Sequence, residues 1–178
     1  MKKAKGELVM TEKNPAKHLF LDLEGTVITP IPNGWDTWEL LDVSGVKGFI
    51  DTYKPDSVHL FSFAIYDGLD ASSFNWHVRE KLEKSLGVKI EIVPTLDGGI
   101  KSAFCKAKKV HEDRVERGDL MRLVGKQDAF RSFVRTIFEK TDDGTEVVLI
   151  DDDVVNEVFC FPDQNLGGRV INIQNVLG

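Results

Sequence analysis

The chain has 178 residues, 42% hydrophobic and 29% charged, which is the make-up of one compact soluble domain and not of a disordered chain. A net charge of -6 argues against broad nucleic-acid binding, which needs a basic face. Two cysteines, Cys105 and Cys160, form no CxxC pair, so neither a zinc cluster nor a disulfide scaffold is indicated and a reducing, cytoplasmic setting is expected.

Residues 1–16 are polar and read as a flexible leader, whose basic start has no apolar run behind it and so is no secretory signal. Residues 17–178 read as a single domain. His18 to Leu23 is a short apolar run stopped by Glu24-Gly25-Thr26, which predicts a buried parallel strand. After a stretch holding Pro30, Pro32 and Gly34, a short helix is expected around Val46 to Tyr53, then a second strand over Ser57 to Ala64. Ser72 to Leu86 has helical spacing, with Phe74, Val78, Leu82 and Leu86 on one face and Gly87 as the stop. Lys89 to Leu96 alternates like a strand, and residues 100–117 read as a basic helix. Its Lys101, Lys106, Lys108 and Lys109, or else Arg114, Arg117 and Arg122 with Lys126, read as a solvated face or a local basic groove. Asp128 to Lys140 is an amphipathic helix, Glu146 to Ile150 a buried strand ending in Asp151-Asp152-Asp153, and Arg169 to Ile173 a last strand. No stretch approaches the ~20 apolar residues of a membrane span.

Five short apolar strands separated by helices predict an α/β, Rossmann-like domain with a largely parallel five-stranded sheet. In such sheets ligands bind at the carboxyl ends of the strands, beside the topological switch point. The chemistry-bearing residues fall there: Asp22 and Glu24 after the first strand, Ser62 at the end of the second, Asp151 to Asp153 after the fourth, and Lys126 opening the helix before it. Gathered carboxylates repel one another unless a cation binds among them, and oxygen ligands favour Mg²⁺. A phosphate brought to that metal is polarised toward attack by Asp22, with Lys126 and Ser62 holding its oxygens and a second carboxylate moving the proton.

Four apolar or aromatic residues followed by Asp22-Leu23-Glu24-Gly25-Thr26 resemble the first motif of the haloacid dehalogenase (HAD) superfamily of phosphohydrolases. Phe61-Ser62 is similar to the second motif, Gly125-Lys126-Gln127-Asp128 to the third, and Val147 to Asp152 to the fourth, in the right order and over roughly residues 17–175. Glu24, where Asp is commoner, and the run from Thr26 to Pro30 resemble enolase-phosphatase-type members. The resemblance implies a HAD-like fold, Asp22 as nucleophile, Glu24 as acid/base with its backbone carbonyl on Mg²⁺, and Asp151 with Asp152 as the remaining metal ligands. Asp153 is the alternative to either of that pair. It implies Ser62 and Lys126 as phosphate contacts, with Lys101 the alternative lysine.

Asp22 and Ser62 lie 40 positions apart, too few for a large helical cap domain. The site is therefore expected to be open, and to suit nucleotides, nucleic-acid ends or other large phosphorylated molecules. The alternative is a relative that keeps the fold but binds or regulates without turnover. His18, His59, His77 and His111 lack metal-ligand spacing, and Trp35, Trp38 and Trp76 either pack or rim the site.

Overall fold

The structure, a computed structural model, describes residues 14–31, 34–65, 68–92, 111, 125–138, 140 and 143–177. Most of the leader, the basic segment with Lys101 and Cys105, and the stretch from residue 93 to 124 apart from His111 lie outside the described residues, and so does any test of a cap there.

The elements in chain order are β1 (Ala16–Leu21), α1 (Ser44–Tyr53), β2 (Ser57–Leu60), α2 (Gly68–His77), α3 (Arg79–Leu86), β3 (Ile90–Ile92), α4 (Lys126–Ile137), β4 (Thr145–Asp151), β5 (Glu157–Phe161), β6 (Leu166–Asn172) and α5 (Gln174–Leu177). They build one six-stranded sheet ordered β3-β2-β1-β4-β6-β5, parallel throughout except for β5, which runs antiparallel to β6. The fold is α/β and compatible with a Rossmann-like arrangement. Among the described residues six strands stand where five were expected. From β1 the chain builds outward through β2 and β3, then returns to place β4 on the other side, so the order switches between β1 and β4.

The central strands are apolar on both faces because both are covered. Leu19 and Leu21 of β1, with Val148 and Ile150 of β4, pack against α1, α2 and α3. Phe20, Val147 and Leu149 face the other way, against Phe130, Phe133 and Val134 of α4. The period of 3.6 in Phe74, Val78, Leu82 and Leu86 is real, since all four are buried, but the expected single helix is two, with Val78 between them. The strand expected to reach Ala64 stops at Leu60. Its neighbour β1 ends at Leu21, and the chain turns over Ser62–Ile65 with Ile65 N–H donating to Ser62 O at 3.2 Å. β6 starts earlier than Arg169 because Gly167 and Gly168 belong to it. A Cβ on Gly168 would fall 2.2 Å from the Phe159 ring of β5. No helix among the described residues is long and apolar enough to cross a membrane.

Two polar clusters sit inside this frame. His18 Nδ1 and His59 Nε2 each lie 2.7 Å from Ser57 Oγ, and both rings stay below the usual histidine pKa, chiefly through burial. These histidines are therefore strand residues sharing one hydroxyl. Glu83 in α3 accepts the Ile90 N–H at 2.9 Å, Arg79 Nε at 2.9 Å and Lys89 Nζ at 2.8 Å, tying α3 to β3. Burial alone would raise its pKa, but these donors outweigh that and hold it down to about 2. A depressed carboxyl adds stability above its unfolded value near 4.5, and that stability is lost as pH falls toward 2. Glu83→Ala is expected to cost about 2 kcal/mol at neutral pH, because it orphans the Ile90 N–H. The deficit should shrink in acid, which urea titrations across that window would read out.

Candidate functional site

The site forms at the switch point, where β1 and β4 end side by side. Asp22 follows β1 directly, and its N–H donates to Ile150 O of β4 at 3.0 Å. The chain then folds back tightly, with Val27 and Ile28 N–H donating to Leu23 O at 2.9 and 3.0 Å. Gly25 sits in that turn at φ +77°, and a Cβ there would lie 2.1 Å from Asp152 Oδ2. Only glycine meets both demands, so this residue lets the β4 loop close on the β1 loop.

Five of the expected residues converge. Lys126 Nζ lies 2.5 Å from Asp22 Oδ1 and 2.9 Å from Asp151 Oδ2. Asp22 and Asp151 are buried, and Asp22 also accepts a hydrogen bond from Ser62, which is buried too. Ser62 Oγ is itself placed by the Ala64 N–H at 3.3 Å. Asp152 stands at the edge of the group. Lys101, the alternative lysine, lies outside the described residues.

The electrostatics follow from this crowding. Burial and then the Asp151 charge push the Asp22 carboxyl up, Lys126 and Ser62 pull it back, and the balance is about 6. Burial by itself would lower the Lys126 pKa, yet the attraction of Asp22 and Asp151 prevails and raises it. Asp152 titrates above the usual carboxylate range, first through desolvation and next through Asp151.

Ligand oxygens of Asp22, Asp151 and Asp152 lie within 4.8 Å of one another, the one such acidic trio among the described residues. Asp151 Oδ1 is occupied by the Asp153 N–H at 2.8 Å. Its Oδ2 is buried and faces the Lys126 ammonium at 2.9 Å. Three carboxylates gathered at one point with a single ammonium among them are a donor set that fits a hard divalent cation. Asp153, exposed like Asp152, lies outside the trio. Glu24 differs from the rest. Its carboxylate is not part of the trio, and its Oε1 accepts the Ile31 N–H at 2.8 Å.

Sequence reasoning missed the residues that hold the acidic loop. Gln127 Nε2 donates to Val155 O and to Glu157 Oε2, both at 3.0 Å, while its Oε1 accepts the Val155 N–H at 3.3 Å. Asn172 Nδ2 donates to Asp152 O at 3.0 Å and Val154 O at 2.9 Å. The loop bearing Asp152 is thus gripped from α4 on one side and β6 on the other. Beside them, Arg131 pairs with Asp128 and Glu157.

Together these groups line a cavity of about 400 Å³ that contains Asp22, Glu24, Ser62, Lys126, Asp151 and Asp152. Trp35 and Trp38 pack against the core, whereas Trp76 is exposed. Compared with protein-family models, curated proteins and solved structures, the chain matches none.

Proposed function

We propose that the chain is a Mg²⁺-dependent phosphomonoesterase of the HAD type, acting through an aspartyl-phosphate on Asp22. The observation that carries this reading is the trio Asp22, Asp151 and Asp152 with the Lys126 ammonium between two of its members. Three acids alone would make a metal site, and a lysine alone an anion site. Both in one cavity suit a ligand that brings its own negative charge to a cation.

When bound, the metal would supply charge neutralisation and polarisation of the phosphoryl group, held by Asp22, Asp151 and Asp152. In the reaction itself an Asp22 oxygen attacks phosphorus and the ester P–O bond breaks. The departing oxygen takes a proton from Glu24, and Lys126 and Ser62 steady the phosphoryl oxygens. Water then gives its proton back to Glu24 and attacks the same phosphorus, releasing phosphate and freeing Asp22. Glu24 suits this role because one carboxylate oxygen is fixed by Ile31 N–H while Oε2 has no protein partner among the described residues.

The test is hydrolysis of p-nitrophenyl phosphate with and without Mg²⁺. Turnover that depends on the metal and on Asp22 is expected. Tight Mg²⁺ and phosphate binding with no turnover of any phosphate ester would point instead to a binding or regulatory protein.

A further inference from the structure

A second cavity, of about 250 Å³, is walled by Glu24, Ile31, Gly34, Trp35, Ala64 and Asp70. Glu24 and Ala64 line the phosphate cavity as well, so the side chain assigned to move the proton borders both. We infer that this second cavity holds the leaving group, and that the substrates are phosphomonoesters of a ring-bearing, uncharged or cationic alcohol or phenol. The inference rests on the phosphotransfer reading above.

The chemistry of the step sets the direction. A departing ester oxygen must lie within hydrogen-bond reach of the acid that protonates it. With phosphorus held at Asp22 and Lys126, the oxygen points to Glu24, and the carbon skeleton continues past it. What lies past it is the Trp35 cavity. The same Ile31 whose N–H fixes Glu24 forms part of that wall, so the proton donor and the leaving-group wall are built as one piece.

The wall also selects. Trp35 is half-buried and meets the fully buried Phe74 edge-on, with ring centroids 6.3 Å apart at 77°, so packing fixes the indole before any ligand arrives. A fixed apolar face pairs best with a flat ring, which loses little freedom on docking. Asp70, near the start of α2, also lines this cavity, and an acidic residue there disfavours a further anionic group on the leaving group. A leaving group carrying further phosphates would set its charge against both Glu24 and Asp70. This narrows the sequence-level expectation: a nucleoside or aryl monophosphate fits, whereas a polyphosphate or a nucleic-acid end does not.

The experiment compares kcat/KM for phenyl phosphate, a nucleoside 5′-monophosphate, the matching diphosphate and glycerol 3-phosphate, all with Mg²⁺. The two ring-bearing monoesters are expected to exceed the other two by about tenfold or more. Trp35→Ala should raise KM for the ring esters about tenfold and that for glycerol 3-phosphate far less, and Trp35→Phe should restore most of the loss. Asp70→Asn, at a position outside the core, should relax discrimination against the diphosphate. Equal kcat/KM across the panel, with Trp35→Ala and Asp70→Asn shifting all substrates alike, overturns the subsite and leaves the phosphatase standing. Hydrolysis of none of the four overturns the phosphotransfer reading, and the subsite with it.

Discussion

Lys126→Met is expected to destabilise the fold by about 3–5 kcal/mol near pH 8, the cost of leaving buried carboxylates without their counter-charge. The methionine keeps the bulk of the side chain, so the loss measures charge and not a cavity. Asp22 and Asp151 are both nearly inaccessible, and Lys126 Nζ is 2.5 and 2.9 Å from them. The sign with pH can be worked out from Asp22, whose pKa already stands raised to about 6. A raised carboxyl takes up a proton in the folded state before the unfolded one does. Its unfavourable contribution is therefore absent below about 3.8 and grows as pH rises to about 6. Without Lys126 the carboxyl should move higher still, so the variant's deficit should narrow between about pH 8 and about pH 5. Mg²⁺ should also recover part of it, by entering the place of the missing charge. Urea titrations at both pH values, with and without Mg²⁺, give the answer. A variant as stable as the parent at pH 8 would mean the ion pairs contribute nothing net.

Lys126 also shows why the helix start is informative. It is the first residue of α4, where a cation opposes the helix dipole, and it follows a Gly125 N-cap that makes no side-chain capping bond. Helix energetics alone would not choose that pair. The strain on local rules is offset by the acids facing it, as is common where a site overrides local preference.

The sequence was legible where burial is symmetric. β1 and β4 read as apolar runs because both their faces are covered, and their ends point to Asp22 and Asp151. β5 was missed for the opposite reason. As an antiparallel edge strand it buries one side only, leaving Val158 and Cys160 exposed, and its signal is mixed with that of the β4 loop. The clamps were invisible on other grounds. Gln127 in a sequence is only an amide on a helix, and nothing in its neighbours says that it will pair with Val155, 28 positions on. Lys126 and Asp22 are 104 positions apart, so their contact follows from topology and not from spacing. Gln127 thus has a structural account: it anchors the acidic loop with both ends of its amide.

Asp22→Asn should lower Mg²⁺-dependent hydrolysis of p-nitrophenyl phosphate by at least about 10³-fold while leaving the fold nearly as stable, within about 1 kcal/mol. An amide oxygen at this position can still accept from Lys126 and Ser62, and Asp151 keeps Lys126 paired. What the amide cannot do is attack phosphorus. Loss of activity with an intact fold therefore isolates the nucleophile from the scaffold. Glu24→Gln provides the contrasting case. An acid is needed most when the leaving oxygen is strongly basic, so this variant should slow an alkyl phosphate far more than p-nitrophenyl phosphate, whose phenolate departs readily. Asp22→Asn should depress both alike. If Asp22→Asn stayed within tenfold of the parent, Asp22 would be a metal ligand only, and the attacking oxygen would have to be a water. If Glu24→Gln instead slowed neither ester, the side chain would act only by holding the Ile31 loop, which an amide oxygen can still do, and not by moving a proton.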